Sequence, residues 1–415
     1  MEPQARIGLA QLTKMAFEGV DLHPLRSDLL KQSFGSTNSA GALMDLSVID
    51  QLTGHRELGL VWQSKAFETC RVFKAQVNDR TRKRVLVFAA PTHIGGNTPV
   101  EFLLQGSDFN SVFYYPNIET SDSDILPDHD VAFCAAPTDA EEAEAFFDTV
   151  HRLTRTSGTK TVNLPEQMVR LDRDTLGQML SGVDGLRVPI SVKLTRQQLI
   201  SALCSEDEAN RLGTLNGYPY VVRPVGSHAG EGLEKLEAPE DFASYLLRRD
   251  EEEFYVSTFE DYASPADQKY RKYRIVFVDG QAFPCHMAIA EQWDVWYLNA
   301  NMHLSPEKRF EEAAFMEGFS GDFGLRHRAR LDAIVDRVGL DYFGMDCAED
   351  PEGNLIVFEA DNALIVHDMD PQTVFPYKVQ PMRAIFSAFE QLLADNCRPA
   401  AKSPAPQRSK PLLAS

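Results

Sequence analysis

The chain has 415 residues, 43% of them hydrophobic and 10% aromatic, and a formal net charge of −20 at pH 7. This composition supplies a sizeable core and enough length for two or three domains, and it excludes wholesale disorder. The acidic balance excludes a general nucleic-acid or anionic-membrane binder, though cations gathered in one cleft can still hold an acidic ligand.

Residues 1–80 read as a mostly helical region, with helix-like patches at Ile7–Phe17 and Asp45–Leu52 and polar loops between them. Packing or an oligomer contact is the expected task, and a homo-oligomer is compatible with it. The start, MEPQARIGLAQL, lacks a basic stretch leading into a long apolar run, so no signal peptide is expected. Residues 83–165 read as an α/β unit. Arg84–Ala90 is a continuous apolar run ended by Pro91, the pattern of a strand buried on both faces. The loop 93–99 carries Gly95-Gly96-Asn97 and precedes a helix expected over Val100–Gln105. That loop either contacts a substrate or is a tight turn feeding the helix. Val131–Ala136 is a second buried strand, and Glu141–Thr154 is an amphipathic helix with Phe146, Phe147, Val150 and Leu153 on one side.

Residues 166–392 hold the chemistry. Tyr218–Pro224 is a short strand with Arg223 near its end, followed by Gly226-Ser227-His228-Ala229-Gly230-Glu231-Gly232. Three glycines in seven residues permit positive φ and a close backbone approach, and successive N–H groups in such a loop cradle anions. A hairpin turn has the same composition, so the loop alone does not decide. Phe254–Phe259 is a further strand, and Lys272 and Arg274 share one face of the strand after it. The segment 286–301 interleaves His286, Asn299 and Asn301 with two of the three tryptophans. The aromatics read as core packing, and His286 either contacts a substrate or is a hydrogen-bonded core histidine. Glu307–Gly318 and Leu325–Val338 read as helices.

Tyr342–Cys347 and Leu355–Ala360 then read as two strands joined by an acidic turn, Glu349–Asn354. Antiparallel pairing brings Asp346 toward Glu359 and Asp361. Three carboxylates at a hairpin end repel one another unless a cation sits between them. A hard divalent cation that keeps waters and accepts phosphate oxygens suits them, Mg²⁺ first and Mn²⁺ as a substitute. The alternative, a solvated acidic turn, fits Asp350 and Glu352. It fits Glu359 poorly, because Leu355-Ile356-Val357-Phe358 runs straight into it. The six cysteines are scattered without a CxxC pair and read as reduced core thiols rather than a zinc site. No apolar run reaches membrane-spanning length, and a cytoplasmic location is expected. The Pro-, Ser- and Ala-rich stretch 397–415 reads as a disordered tail.

The order of basic strand, Gly-rich loop, hinge strand, Arg-bearing strand, then Asp and Glu-x-Asp on a hairpin resembles the ATP-grasp superfamily. The resemblance spans residues 165–390 and points to the ribosomal-protein glutamate ligase and glutathione synthetase-like branch. It implies an α/β (α+β) ATP-grasp fold, preceded by the small α/β domain at 83–165, and it implies use of ATP with Mg²⁺. Arg223 stands where the family has a strand lysine, and Arg173 in RLDRDTLGQML stands for its earlier basic residue. Arginine keeps its charge and grips phosphate with two donors. Gly226, Ser227, His228, Gly230 and Gly232 would cover the phosphates. Ser257 and Phe259 belong to the strand that would hold adenine through its backbone, with Glu260 or Asp261 on the ribose. Lys272 lies in line with Arg274, which would steady the γ-phosphoryl group. Asn299 or Asn301 would supply the family's asparagine near the metal, and His367 would lie beside it. Asp346, Glu359 and Asp361 would hold the metal, with Asp361 in place of the usual asparagine and Asn362 sharing the role.

The implied reaction joins a small-molecule carboxylate to an amine, an amino acid or peptide being expected, through an acyl phosphate and with release of ADP and phosphate. Neither nucleic acid nor membrane is expected as a partner. Two other readings stand beside it. One is a different ATP-grasp chemistry, phosphoryl transfer or thioester formation. The other is a catalytically inactive nucleotide-binding regulatory protein, which the arginine-for-lysine changes keep open and the retained carboxylates argue against.

Overall fold

A computed structural model describes residues 2–35, 39–75, 83–117, 119–121, 125–138, 143–155, 157–164, 171–204, 217–227, 230–297 and 299–397. They form a mixed α/β structure with three sheets. The first sheet takes β1 (Gln4–Ala5), β2 (Val72–Lys74), β3 (Lys83–Phe88), β4 (Phe109–Tyr114), β5 (Val131–Cys134) and β6 (Thr161–Val162), in the order β1-β2-β4-β3-β5-β6. β3 runs parallel to both β4 and β5.

The continuous apolar sequence of β3 follows from its two faces. Val85 and Val87 enter one core cluster, which includes Leu43, Leu46 and Ile49 of the N-terminal helices. Leu86 and Phe88 enter another, with Phe146, Phe147, Val150 and Leu153. β5 divides in the same way, with Val131 and Phe133 on one side and Ala132 and Cys134 on the other. A strand covered on both faces has no position left for polar alternation.

The N-terminal helices are α1 (Leu9–Phe17), α2 (His23–Ser33), α3 (Ala40–Leu52) and α4 (Arg56–Phe67). Residues 1–80 are therefore helical, as expected, but they also provide β1 and β2 to the first sheet. Chains of two and three residues carry no readable period, which is why the sequence did not reveal them. Helix α5 (Val100–Leu103) follows the loop after β3, and α6 (Ala143–Thr154) covers the opposite face.

Next come α7 (Arg173–Met179), β7 (Leu186–Arg187), β8 (Ser191–Thr195), α8 (Arg196–Cys204), β9 (Tyr220–Pro224), β10 (Glu234–Leu236), α9 (Pro239–Leu247) and β11 (Glu253–Thr258). Strands β8 to β11 make the second sheet, antiparallel, in the order β10-β9-β11-β8. Residues 259–269 lead from it into β12 (Tyr270–Val278) of the third sheet. That sheet continues with β13 (Gln281–Ala290), β14 (Tyr342–Glu349) and β15 (Leu355–Asp361), in the order β13-β12-β14-β15-β7. Helices α10 (Pro306–Gly318), α11 (Phe323–Arg326) and α12 (Arg328–Val338) occupy the segment between β13 and β14, and α13 (Val379–Asp395) closes the described chain. The helix expected over Leu325–Val338 is two helices meeting at His327. Residues 398–415, most of the expected tail, lie outside the described residues. The described cysteines Cys70, Cys134, Cys285, Cys347 and Cys397 form no disulfide.

Alternation along β12 joins two cores. Tyr273, Ile275 and Phe277 pack with Phe343, Met345 and Phe323, whereas Val276 and Val278 belong to the cluster of the first sheet. Lys272 and Arg274 lie on that second face, one step before the packing begins.

A buried polar anchor holds α11 and α12 to β14. His327, fully buried, places Nε2 2.7 Å from Glu349 Oε1, and Arg330 reaches its Nδ1 at 2.9 Å. Burial raises the Glu349 carboxyl, but the bonds from His327 and Arg326 outweigh it and hold the group at about 2, below the ordinary 4.5. Its stabilising contribution is therefore complete above its ordinary pKa and lost as pH falls through the folded value. Glu349→Gln is expected to lower the unfolding free energy at pH 7 by about 2 kcal/mol. Urea unfolding at a series of pH values should also show the difference from wild type shrinking between pH 4.5 and 2.

Candidate active site

Four strands of the third sheet align one residue each. Arg274 on β12 pairs across to His286 on β13 and to Asp346 on β14, and Asp346 pairs to Glu359 on β15. The register shifts beside this row on both flanks. Ile275 faces Pro284, leaving Cys285 extra, and Cys347 faces Val357, leaving Phe358 extra. The second bulge decides which way the acids point. Leu355 and Val357 face the core of the third sheet, and strict alternation would send Glu359 and Asp361 there too. The extra residue at Phe358 turns Glu359 and Asp361 onto the face of Asp346 and returns Ala360 to the core.

Asp346 is 2% exposed and is held by cations. Arg274 grips it with Nε at 2.8 Å from Oδ1 and Nη2 at 3.0 Å from Oδ2, and Lys272 Nζ lies 2.8 Å from Oδ2. Burial works to raise its pKa, yet the two cations hold the carboxyl well below the usual carboxylate range. Arg274 also donates to the Ile365 carbonyl at 3.1 Å. Glu359 accepts from Arg173 Nη2 at 2.7 Å. Burial and the Asp346 charge push its pKa up, but the cations Arg173, Arg223 and Lys272 bring it below its ordinary value.

Arg223 belongs to β9, one of the two inner strands of the second sheet, and pairs with Tyr255 of β11. Burial and then the charge of Arg173 push it down to about 10, with the Glu359 charge working the other way. Its side chain bonds Ser227, through the hydroxyl at 3.2 Å and through the carbonyl, and so pins the start of the Gly-rich loop. Gly226, Gly230 and Gly232 all have positive φ. Gly230 has open space where a Cβ would stand, so its requirement is conformational. Gly232 is also crowded, since a Cβ there would meet Pro224 Cδ at 2.7 Å. His228 lies outside the described residues.

The segment after β11 carries Phe259, whose N–H donates to the Pro219 carbonyl at 3.3 Å and whose ring lies 3.9 Å below Lys235 Nζ and 5.7 Å from Trp293. Ser257 shares a 2.6 Å bond with Ser191, and Glu260 accepts from Thr258 at 3.3 Å. Lys235 was not foreseen. A lysine at i+12 from Arg223 has no periodic signal, and only the β9–β10 pairing brings it here.

Several expected residues go elsewhere. Asn299 accepts from the Trp296 N–H at 3.0 Å and donates to the Asp294 carbonyl at 2.9 Å, and Asn301 donates to the Asn299 carbonyl at 3.1 Å. Both are exposed and build their own turn. His367 packs between the rings of Phe17 and Phe102, each 6.3 Å away, and its Nδ1 accepts the Met369 N–H. Asp361 caps the following turn by accepting the Ala363 N–H at 2.9 Å. Asn362, one residue on, points away from the acids and bonds the Ala136 carbonyl and Thr98 of the first sheet. Among the described residues no group of three His, Cys, Asp or Glu side chains is placed to hold a metal ion. Of the three expected acids, Asp346 and Glu359 pair across β14 and β15, and Asp361 lies two residues on, on the same face of β15. Two hard oxygen donors on adjacent strands still suit a divalent cation that keeps several waters.

No family model matches the chain, and no curated protein matches its sequence. Among solved structures it is similar to a RimK domain ATP-grasp protein from Sphaerobacter thermophilus DSM 20745, at 15% identity over 75% of this chain and 99% of that one, with a TM-score of 0.42. It is similar to the D-alanine–D-alanine ligase from Bacillus anthracis complexed with ATP, at 14% identity over 76% and 96%, with a TM-score of 0.43. It is also similar to the ATP-grasp ligase PsnB complexed with a precursor variant, Mg and ADP, at 14% identity over 75% and 99%, with a TM-score of 0.41. Likeness at this level assigns neither activity nor ligand to this chain.

The Arg274–Asp346 pair carries a direct test. Arg274→Ala leaves a buried carboxylate with Lys272 alone, and the loss of one partner of a buried pair costs several kcal/mol. Urea unfolding at pH 7 is expected to show a stability loss of about 2–4 kcal/mol, partly recovered by Arg274→Lys.

Proposed function

We propose that the chain is an ATP-grasp enzyme, an ATP-dependent ligase that joins a carboxylate to an amine with release of ADP and phosphate. One observation carries the reading. Arg173 bonds Glu359, Lys272 and Arg274 bond Asp346, and the charge of Arg223 also bears on Glu359, beside a loop of positive-φ glycines. Four cations against these two acids, or against three with Asp361, leave a local positive excess in a chain of net charge −20. Such an excess suits a polyanion, and the loop suits its phosphates. The connection 259–269 between the second and third sheets supports the placing of adenine at Phe259 and the phosphates toward Glu359. On this reading the first sheet and its helices form a leading unit, and residues 171–395 form the catalytic one.

Asp346 and Glu359 would hold Mg²⁺, which when bound neutralises charge on the phosphate oxygens. The cations of the chain exchange partners. Arg223 gives up the Ser227 carbonyl and Arg173 gives up Glu359 as phosphate oxygens replace them, and two-pronged guanidinium contacts fit that exchange. The substrate carboxylate attacks the γ-phosphorus, and the amine then attacks the acyl carbon and expels phosphate. Arg274, fixed on Asp346, keeps its charge beside the reacting group, and the closed loop keeps water from the acyl phosphate. No helix among the described residues is long and apolar enough to cross a membrane. The substrates fit small molecules or peptides, and the location fits the cytoplasm.

ADP release measured against a panel of small acids and amines, with mass spectrometry of the products, tests the activity. Glu359→Gln is expected to abolish release while leaving the melting temperature near wild type, and undiminished ADP production would remove Glu359 from the site. Arg223→Ala is expected to weaken nucleotide binding by about 1.5–3 kcal/mol. Calorimetry with Mg²⁺ checks this, and equal affinity in both proteins would mark Arg223 as a loop anchor only.

A further inference from the structure

The row across the third sheet ends on His286, and the steps above leave that residue without a task. Directly opposed residues of antiparallel strands share a face, so its imidazole stands on the side of Arg274. β12 lies between it and Asp346. His286 is only partly buried and makes no hydrogen bond among the described residues. Neither ring nitrogen is sealed from solvent without a partner. It is therefore not a hydrogen-bonded core histidine. Its ring packs 4.9 Å from that of Tyr297.

The polar groups that face it are committed elsewhere. Lys272 and Arg274 of β12 bond Asp346 of β14. Lys378, just before α13, bonds the Tyr297 hydroxyl and Asp370, and lies 3.3 Å from Glu312 of α10. Tyr297 donates to Glu312 at 3.2 Å. The neighbouring Cys285 is a buried thiol, pushed up to about 11 by burial. Burial and then the charges of Arg274 and Lys378 push the imidazole well below its ordinary 6.5, with Lys272 adding to them and Asp346 working the other way. A neutral imidazole has one nitrogen free to accept a proton.

An amine acceptor needs such a group. An alkyl amine is an ammonium at neutral pH and has no lone pair with which to attack. The carboxylates of the row are bonded to cations and held low, which makes them poor bases. We infer that His286 is the general base of the ligation, taking a proton from the incoming ammonium so that its nitrogen attacks the acyl carbon beside Arg274. This rests on the ligase reading above. The first proton passes to the imidazole and the freed lone pair forms the C–N bond. The bond from the acyl carbon to the phosphate oxygen breaks, and a second proton leaves the nitrogen with the phosphate. The open imidazole then returns its proton to water. The surrounding cations also set the order of events. Phosphate oxygens beside Arg274 offset the charge that keeps His286 neutral, so it becomes a stronger base only once nucleotide is bound.

Two measurements test this. The first follows the His286 ring by NMR on the full chain as pH is lowered, with and without adenylyl imidodiphosphate and Mg²⁺, the ring being assigned through its contacts with Tyr297. The nucleotide analogue is expected to raise its proton affinity about tenfold or more. The second measurement compares His286→Asn with wild type on the small acids of the ADP-release panel. The acceptor is either the alkyl amine the panel identifies or hydroxylamine, which is largely unprotonated at neutral pH. His286→Asn is expected to slow amide formation about a hundredfold, within the usual range of general-base contributions, and hydroxamate formation by less than about threefold. A residue that only packs would slow both acceptors alike. That result overturns the inference and leaves the ligase reading standing, as does a titration that bound nucleotide does not move. If the wild-type chain forms neither amide nor hydroxamate, the ligase reading fails and the role of His286 fails with it. Should His286→Asn not fold, His286→Gln replaces it, and if neither folds the wild-type titration decides.

Discussion

A carboxylate buried in the middle of a sheet is tolerable only if its charge is answered at once, and Asp346 is answered twice. Arg274 takes both of its oxygens and Lys272 one of them. Without these partners the third sheet would carry an uncompensated charge between strands whose neighbouring residues are core. With them, β12 and β14 are locked in one register, since a slip by one residue would separate the charges and invert every side chain of β12. The positions of His286 and Glu359 follow from that lock, because each pairs to a member of the couple.

The lock also orders the larger structure. The face of β12 that carries Lys272 and Arg274 continues into Val276 and Val278, which pack in the core of the first sheet. The Asn362 side chain and Thr98 reach across the same boundary by hydrogen bonds. The acids are therefore braced from behind by a sheet that contributes none of the cations, while the loop-bearing second sheet is connected to them through residues 259–269. An arginine in place of lysine has a meaning in this arrangement. Arg223 bonds its own loop at Ser227 through two of its nitrogens while its charge still lowers the Glu359 carboxyl, which a single ammonium does less well.

Much of this was legible in the sequence because it rests on local rules. Continuous apolar runs marked β3 and β5, an acidic turn between two apolar runs marked the β14–β15 hairpin, and glycine spacing marked the loop. What escaped depends on register or on contacts between distant segments. β1 is two residues long and exists because α3 and β2 hold it. Asn299 and Asn301 look like ligands in composition, but short amides bond their nearest backbone first, and here they close a turn. His367 follows the acids by a few residues, yet the chain has already left the sheet and carries it to Phe17 and Phe102. The buried Arg6 and Lys378 were likewise invisible, since their partners, Glu101 for the first and Glu312 and Asp370 for the second, are supplied from far along the chain or only by its folding back.

The bulge at Phe358 gives the hairpin a parity. Upstream of it odd-numbered residues of β15 face the core, and downstream of it odd-numbered residues face the acids' side. The bulging-out of Phe358, rather than the identity of its neighbours, therefore decides which way Glu359 points. A strand of the same length without the bulge would turn Glu359 and Asp361 inward, whereas loss of Phe358 together with the bulge would leave Glu359 and Asp361 on the acids' side and Ala360 in the core by plain alternation. When relatives of this chain are aligned, a one-residue gap at Phe358 should therefore be weighed far less heavily than replacement of the glutamate itself.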